Sequence, residues 1–419
     1  MRPTRQTPLT LALVALAACQ GPGLAEPDRF AEPRGDTPDD GEVFLAPAVP
    51  HEAAPLEGGE TDPGGEYVPT PDEGELTEAW QDRLDAREVD YRAALRTASL
   101  RLRGDLPTLV ELEFLESAPE PREVYEALID DFLADPRFTQ QVRRFWRDSF
   151  KMGGGGLDSA PNFAASLVVG DQPITRLFTA TSGNCVDFED GSFVAEDCDS
   201  GAPAEAGVLT NPDVHRHFFS NLGFRRARWV QETFACREFP AEVGDPTDVG
   251  GENPYTAPWP FESIAGSRTT GRVDFHDTES VICANCHATM NHVTPLLARF
   301  DEDGDWVEGG YGVPLPLDGA PIAERTDWLP EGEGTAWRYG VPAADLPALG
   351  AAMAADPEVH HCLTARAWNW AMGHGDVVDA LAVVPRAVTT PLVDELSAEG
   401  FRFKPVLRAI FTSDDFVRY

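Results

Sequence analysis

The five-residue string Cys283-Ala284-Asn285-Cys286-His287 limits this chain more than any other feature. Two thiols three positions apart on a turn can each form a thioether with one vinyl group of a haem, and the adjoining imidazole then lies under the iron as an axial ligand. The spacing predicts one covalent haem c on Cys283 and Cys286, with His287 on the metal. Structural zinc would need a compatible fourth ligand, and no second Cys-x-x-Cys pair completes a four-thiolate set. A thioredoxin-like redox pair belongs beside a strand-helix-strand pattern, which the flanks lack. A plain local disulfide stays open as the alternative.

Haem attachment and disulfide formation both need export from the cytoplasm, and the N-terminus supplies a reason to expect it. Residues 1–18 carry Arg2 and Arg5 ahead of an apolar run from Leu9 to Ala18, which is too short to span a bilayer permanently and reads as an export signal. Leu16-Ala17-Ala18-Cys19 resembles the lipobox of bacterial lipoproteins, which implies acylation of Cys19 as the first mature residue. Gln20 rather than Asp follows, and this resembles the default for sorting to the outer membrane, on its periplasmic side or at the cell surface. Simple cleavage after Ala18 or Ala25 is the alternative.

Residues 19–76 are dominated by Pro, Gly, Asp and Glu, with Arg29 and Arg34 as the only offsetting cations. Such a segment buries too little apolar surface to offset its ordering entropy, so a flexible acidic tether is expected. The whole chain carries a formal charge of −38, and Lys151 and Lys404 are its only lysines. That balance excludes nucleic-acid binding through phosphate contacts and predicts a redox partner protein with a basic docking face. Beyond the leader no apolar run is long enough for a transmembrane helix, so membrane attachment is expected through the lipid alone.

The remaining ~340 residues exceed the usual reach of one core, which predicts two or three mainly α-helical subdomains. Residues 77–156 form the first, with one helix over 77–103 capped by Thr77, a short one from Pro107 through Glu116, and two more from Glu123 to Phe150 separated at Asp135-Pro136. The stripe Phe138, Phe145, Trp146 and Phe150 reads as core. Residues 157–205 lack helical periodicity and suggest a loop-rich insertion. Residues 206–310 form the haem-binding segment, with a helix from Pro212 to Cys236 and a second helix and acidic turn between Met290 and Asp305. An irregular connection over 311–344 precedes a C-terminal helical domain, 345–419. There Asp345 caps one helix, a second runs from Asp356-Pro357 to a stop at Gly373, and the last two cover Pro391 to Ser397 and Lys404 to Phe411.

Candidate partners for the haem follow from chemistry. Arg225, Arg226 and Arg228 could hold haem propionates, because guanidinium forks suit carboxylates, with surface ion pairs as the plainer reading. A sixth iron ligand would come from Met372 or Met353, downstream of His287, with His292, His360, His361 and His374 as alternatives; Met290 is too near His287 to reach the opposite face. Asp301, Asp303, Asp305 and Glu308 resemble a calcium loop but place Gly304 fourth, where an EF-hand needs glycine sixth, so a solvated turn is expected. With Cys19 lipidated and two thiols on haem, four cysteines remain. They allow three connectivities, of which Cys185–Cys198 with Cys236–Cys362 is preferred.

The string Cys283-x-x-Cys286-His287-x-x-Met290-Asn291, followed by Phe300-Asp301-x-x-Gly304-x-Trp306, resembles the uncharacterised cytochrome-c-like domain family of planctomycete and myxobacterial exported proteins. Ala206 to Thr210, Leu128 to Trp146, Leu363 to Gly373 and Phe401 to Phe416 are similar to its flanking elements. Asn291 stands where the family has Asp, Thr294-Pro295 replaces Gly-Phe, and His374 replaces Arg. The resemblance implies a helical fold and a covalent haem and leaves the reaction open.

No nucleophile elbow, Walker loop or HExxH string occurs, so nothing points to hydrolysis, phosphoryl transfer or metalloprotease chemistry. The expected function is a lipid-anchored, monohaem c-type cytochrome-like protein in envelope electron transfer, rather than a catalyst. A haem peroxidase or oxidase with an open distal side and a haem-free envelope binding or scaffold lipoprotein are the alternatives.

Overall fold

Several helix starts in this chain are set by short polar side chains. Asp90 Oδ1 accepts from the main-chain N–H of Arg92 and Ala93 and opens helix α1, Tyr91–Leu102. Thr108 and Glu111 form a reciprocal capping box at the head of α2, Leu109–Glu116. Pro121 begins α3, Pro121–Ala134, and Asp135-Pro136 separates it from α4, Phe138–Phe150. On α3 the buried positions Tyr125, Leu128, Ile129, Phe132 and Leu133 follow helical spacing, and on α4 Phe138, Val142, Phe145, Trp146 and Phe150 do the same.

The computed structural model describes residues 86–237, 239, 281–314, 322–329, 331–338, 341–378 and 382–419, with the main chain alone for 281–286 and 288. The leader, Cys19, the acidic tether, Thr77 and residues 240–280 lie outside the described residues, as do the thiols of Cys283 and Cys286. All described residues fall in one unit, Pro69–Tyr419.

The next elements are α5, Ser159–Val169, and α6, Arg176–Thr179, then the antiparallel hairpin β1, Cys185–Glu189, with β2, Ser192–Glu196. A 3-10 turn at Gly207–Thr210 leads to α7, Pro212–His217, and α8, Phe224–Ala235. The motif helix α9 covers Val281–Leu297. Two short strands, β3 at Ala336–Trp337 and β4 at Val341–Pro342, pair antiparallel before α10, Leu346–Ala355, and α11, Pro357–Met372. The chain closes with α12, Arg386–Ala398, α13, Phe403–Phe411, and α14, Asp414–Val417. The protein is mainly helical, and among the described residues no helix is long and apolar enough to cross a membrane.

Several boundaries differ from expectation. Among the described residues the first helix begins at Tyr91, because residues 88–90 are taken by main-chain pairing to the C-terminus: Glu88 with Tyr419, and Asp90 N–H with Val417 O. The 157–205 segment holds a full helix, α5, in which Ala160, Phe163, Ala164, Ala165, Leu167 and Val168 are all buried. A helix enclosed on nearly every side carries no amphipathic period for a sequence to display. The helix expected from Pro212 to Cys236 is broken in two, with Gly223 at φ +74° between the pieces. The attachment string lies within α9 rather than on a turn. Helix α12 starts five residues before Pro391, which sits inside it, and beyond the last expected helix Ser413 caps a further short one, α14.

A single apolar cluster runs from Ala94 of α1 to Val417 of α14 and draws on every segment between, so the described residues share a core instead of dividing into subdomains. At its centre Phe150, Trp229, Phe234 and Phe178 pack edge to face at 4.8 to 5.6 Å between ring centroids. A smaller cluster of Leu222, Ala298, Tyr311, Val313 and Trp328 lies at the end of α9. Both predicted disulfides are formed: Cys185–Cys198 closes the hairpin, and Cys236–Cys362 ties the end of α8 to α11.

Candidate haem-attachment site

Helix α9 places positions 283, 286 and 287 within one turn, so i, i+3 and i+4 share a face. Its neighbours are α8 and β3. Gly223 permits the close approach of α8: a Cβ at this position would stand 3.0 Å from Ala298 Cβ and 3.3 Å from Thr294 Cγ2. The first residue of α8, Phe224, thereby meets His287 edge to face, with ring centroids 4.6 Å apart and planes at 87°.

The second hold on His287 comes from its own helix. Asn291, one turn further on and buried, places Oδ1 2.9 Å from His287 Nδ1. A carbonyl oxygen only accepts, so the ring proton of the neutral imidazole belongs on Nδ1 and the lone pair on Nε2. Burial pushes the His287 pKa below its ordinary value, and the Asn291 bond opposes this only in part. The result is a neutral, oriented imidazole, the form in which histidine ligates a metal, with the other nitrogen bonded to an acceptor as such ligands require. The donor set therefore fits an axial haem ligand. Among the described residues no group of three or more His, Cys, Asp and Glu side chains forms a metal cluster, the Asp301 to Glu308 turn included. Asp301 Oδ1 instead accepts from the N–H groups of Asp303 and Asp305, which shapes the turn.

The arginine cluster divides. Arg226 is fully buried, and its guanidinium donates to the carbonyls of His215, Leu297, Phe300 and Asp301, at 2.6 to 3.1 Å. Burial pushes its pKa down to about 9, with Asp301 opposing. Its donors are thus occupied by main chain. Arg225 is exposed, with its guanidinium 5.5 Å from the Phe218 ring, and Arg228 is exposed and bonded to Glu232 at 2.7 Å.

The candidate sixth ligands are spread over the C-terminal helices. Met353 is fully buried on α10, which packs on β3 as α9 does. Met372 ends α11 at the margin of the core, next to Gly373, against which Arg101 of α1 rests. His360 contacts Ala354 O at 2.9 Å, His361 contacts Thr389 Oγ1 at 2.8 Å, and His374 is exposed. Met290 is buried in the main core. His292 is buried, with Nδ1 3.1 Å from Gly334 O and Nε2 3.8 Å from Glu333 Oε2. Desolvation lowers the His292 pKa to about 4 and raises that of Glu333, so near neutral pH this contact is not an ion pair.

Two contributors escape sequence reasoning. Asn291 figures there only as a departure from a family pattern, although its i+4 spacing from His287 was the available signal. Phe224 has no such signal, since it is distant in the chain and brought in only by the α8–α9 packing. Compared with known proteins, the chain matches no family model, no curated protein and no solved structure.

Proposed function

We propose that this chain is an exported, lipid-anchored c-type cytochrome-like protein that carries one covalent haem and transfers electrons in the cell envelope. The observation that supports it most is the setting of His287: the residue directly after the Cys-x-x-Cys pair is a neutral imidazole, bonded through Nδ1 to Asn291 at 2.9 Å and braced by Phe224. Cys283 and Cys286 would carry the thioether bonds, and His287 would hold the iron. The bound haem would supply one-electron chemistry. Asn291 fixes the tautomer and ring plane, Phe224 packs edge to face on the ring, and Arg226 ties the end of α9 to α7 through the Leu297 and His215 carbonyls. Export is supported by the leader and by the two disulfides, which belong to an oxidising compartment.

Expression in cells with active haem-attachment machinery tests this reading. A haem-staining band in denaturing gels and a c-type pyridine haemochrome spectrum are expected, and Cys286→Ser should abolish both. Haem-free protein purified from such cells would overturn the assignment. A low-spin spectrum indifferent to carbon monoxide is expected for electron transfer, whereas a high-spin spectrum with peroxide turnover would replace it with the enzyme reading. Detergent-phase partitioning that Cys19→Ala removes checks the anchor.

A further inference from the structure

Most of the large apolar side chains that this protein leaves in water are gathered in one place. Seven of the eleven found exposed among the described residues belong to positions 89–114 or to Tyr419 beside them. On α2 and the loop before it, Leu106, Leu109, Val110 and Phe114 are 56 %, 77 %, 74 % and 58 % exposed, and only Leu115 of the helix is buried. Val110 and Phe114 are one turn apart and share a face. The four expose on the order of 500 Å², near the largest patch that a soluble monomer carries and a size that marks an interaction site.

This patch lies on the hairpin by which the N-terminal chain joins the body. Arg103 pairs with Glu111 at 2.8 Å and Arg92 with Glu116 at 3.0 Å, so α2 runs back along α1 toward its start. Just before α1, Val89 pairs with Arg418, and Tyr419 sets its hydroxyl 3.3 Å from Thr97 Oγ1. Arg92, Arg96 and Leu100 follow at i, i+4 and i+8 as an exposed stripe of α1. Charge is nearly balanced here, in a chain of −38: Glu111 and Glu116 are held by arginines, Asp105 by Arg137, and among the described residues neither Arg96 nor Glu113 forms an ion pair. Leucine, valine and phenylalanine edged by arginine and tyrosine suit the headgroup boundary of a bilayer.

We infer that the α1–α2 face is a membrane contact that acts beside the lipid. The four apolar side chains enter the boundary between headgroups and acyl chains, and Arg92, Arg96 and the Tyr419 hydroxyl lie at headgroup level. The choice of a bilayer rests on the acylation of Cys19 in the proposed function, since the chain leading back to that cysteine enters the body at this hairpin. A second copy fits less well, because a stable interface buries roughly 800 Å² on each partner and two strongly acidic bodies repel.

Flotation of residues 19–419 carrying Cys19→Ala, exported behind a non-lipoprotein leader, tests the face without the lipid; the vesicles contain phosphatidylethanolamine and phosphatidylglycerol. Co-flotation is expected. Leu109→Ser combined with Phe114→Ser should weaken it by about tenfold or more at an unchanged melting temperature. Ile322→Ser, which removes a 60 % exposed side chain elsewhere, should leave it unchanged. Absence of co-flotation, or equal binding by the double variant, would overturn the inference. Self-association in place of vesicle binding, abolished by the same double variant in sedimentation, would overturn it in favour of a second copy. Failure of the acylation reading shows separately, as absence of detergent-phase partitioning by the unsubstituted protein.

Discussion

The Arg226 guanidinium touches four carbonyl groups from three parts of the chain, and no other side chain type could replace it. Lysine offers a single ammonium without the planar fork, so Arg226→Lys should recover little of what Arg226→Met loses. Four carbonyls lose their guanidinium donor, of which Asp301 O keeps the Gly304 N–H, and the loss is expected to cost about 3–5 kcal/mol, measured as a lower urea midpoint for both variants. The buried histidines set a pH dependence. His292 has a folded-state pKa of about 4 against an ordinary value of 6.5, so the unfolded chain takes up the proton first as pH falls. Its contribution is complete above the unfolded value and is lost as pH drops from there toward about 4, a change of about 3 kcal/mol. His215 and His287 are also lowered by burial and act in the same direction. Urea unfolding across that range should show stability falling with acid, with a shallower fall in His292→Gln. At this scale the sequence shows which residues are chemically able to act, but not which are occupied: Arg225, Arg226 and Arg228 look alike in the chain, and burial alone separates them.

Gly304 belongs to the acidic turn after α9 and adopts φ +87°, with the Pro212 carbonyl only 2.3 Å from where a Cβ would stand. The turn therefore seats directly on the first residue of α7, and Phe300 beside it stacks on His215 at 3.5 Å. Gly304→Ala should destabilise the fold by about 1–3 kcal/mol, from the left-handed backbone and the clash together. Gly309→Ala, at φ +70° in open space, is the control that keeps only the backbone part, and thermal melting of the two variants separates the contributions. The disulfides act between elements. Cys236–Cys362 spans 126 residues and Cys185–Cys198 spans 13, so on loop entropy the first should contribute about 4–5 kcal/mol and the second about 3. Paired serine variants should lose stability in that order, read by chemical denaturation. Helices α3 and α4 are legible in the sequence, because apolar positions at helical spacing and the Asp135-Pro136 break between them lie within a turn or two of the boundaries, whereas the start of α1 is not, since Asp90 caps it in place of Thr77. Helix α5 is not, because its surroundings bury nearly all of it and leave no polar face to set the period.

Across the whole molecule, the formal charge of −38 implies self-repulsion that folding must overcome. Added salt screens it, so the melting temperature should rise by about a few degrees between ~0.01 M and ~0.15 M sodium chloride, where the Debye length falls from about 30 to about 8 Å. No rise would mean that acidic groups are kept apart by the fold or already neutralised by ion pairs. One continuous core joins α1 to α14, and the pairing of Glu88 with Tyr419 brings the two ends of the described body together. By itself the sequence determined the helical character, most capped boundaries, the attachment string with its adjoining imidazole, and a preference among three thiol pairings that the structure adopts. These depend on spacing within a few residues, or on counting. Only the tertiary structure decided that Phe224 and Asn291 hold His287, that Arg226 binds main chain, and that the segments share one core. Burial and hydrogen-bond partners are set by which distant surfaces pack together, and local spacing does not encode that choice.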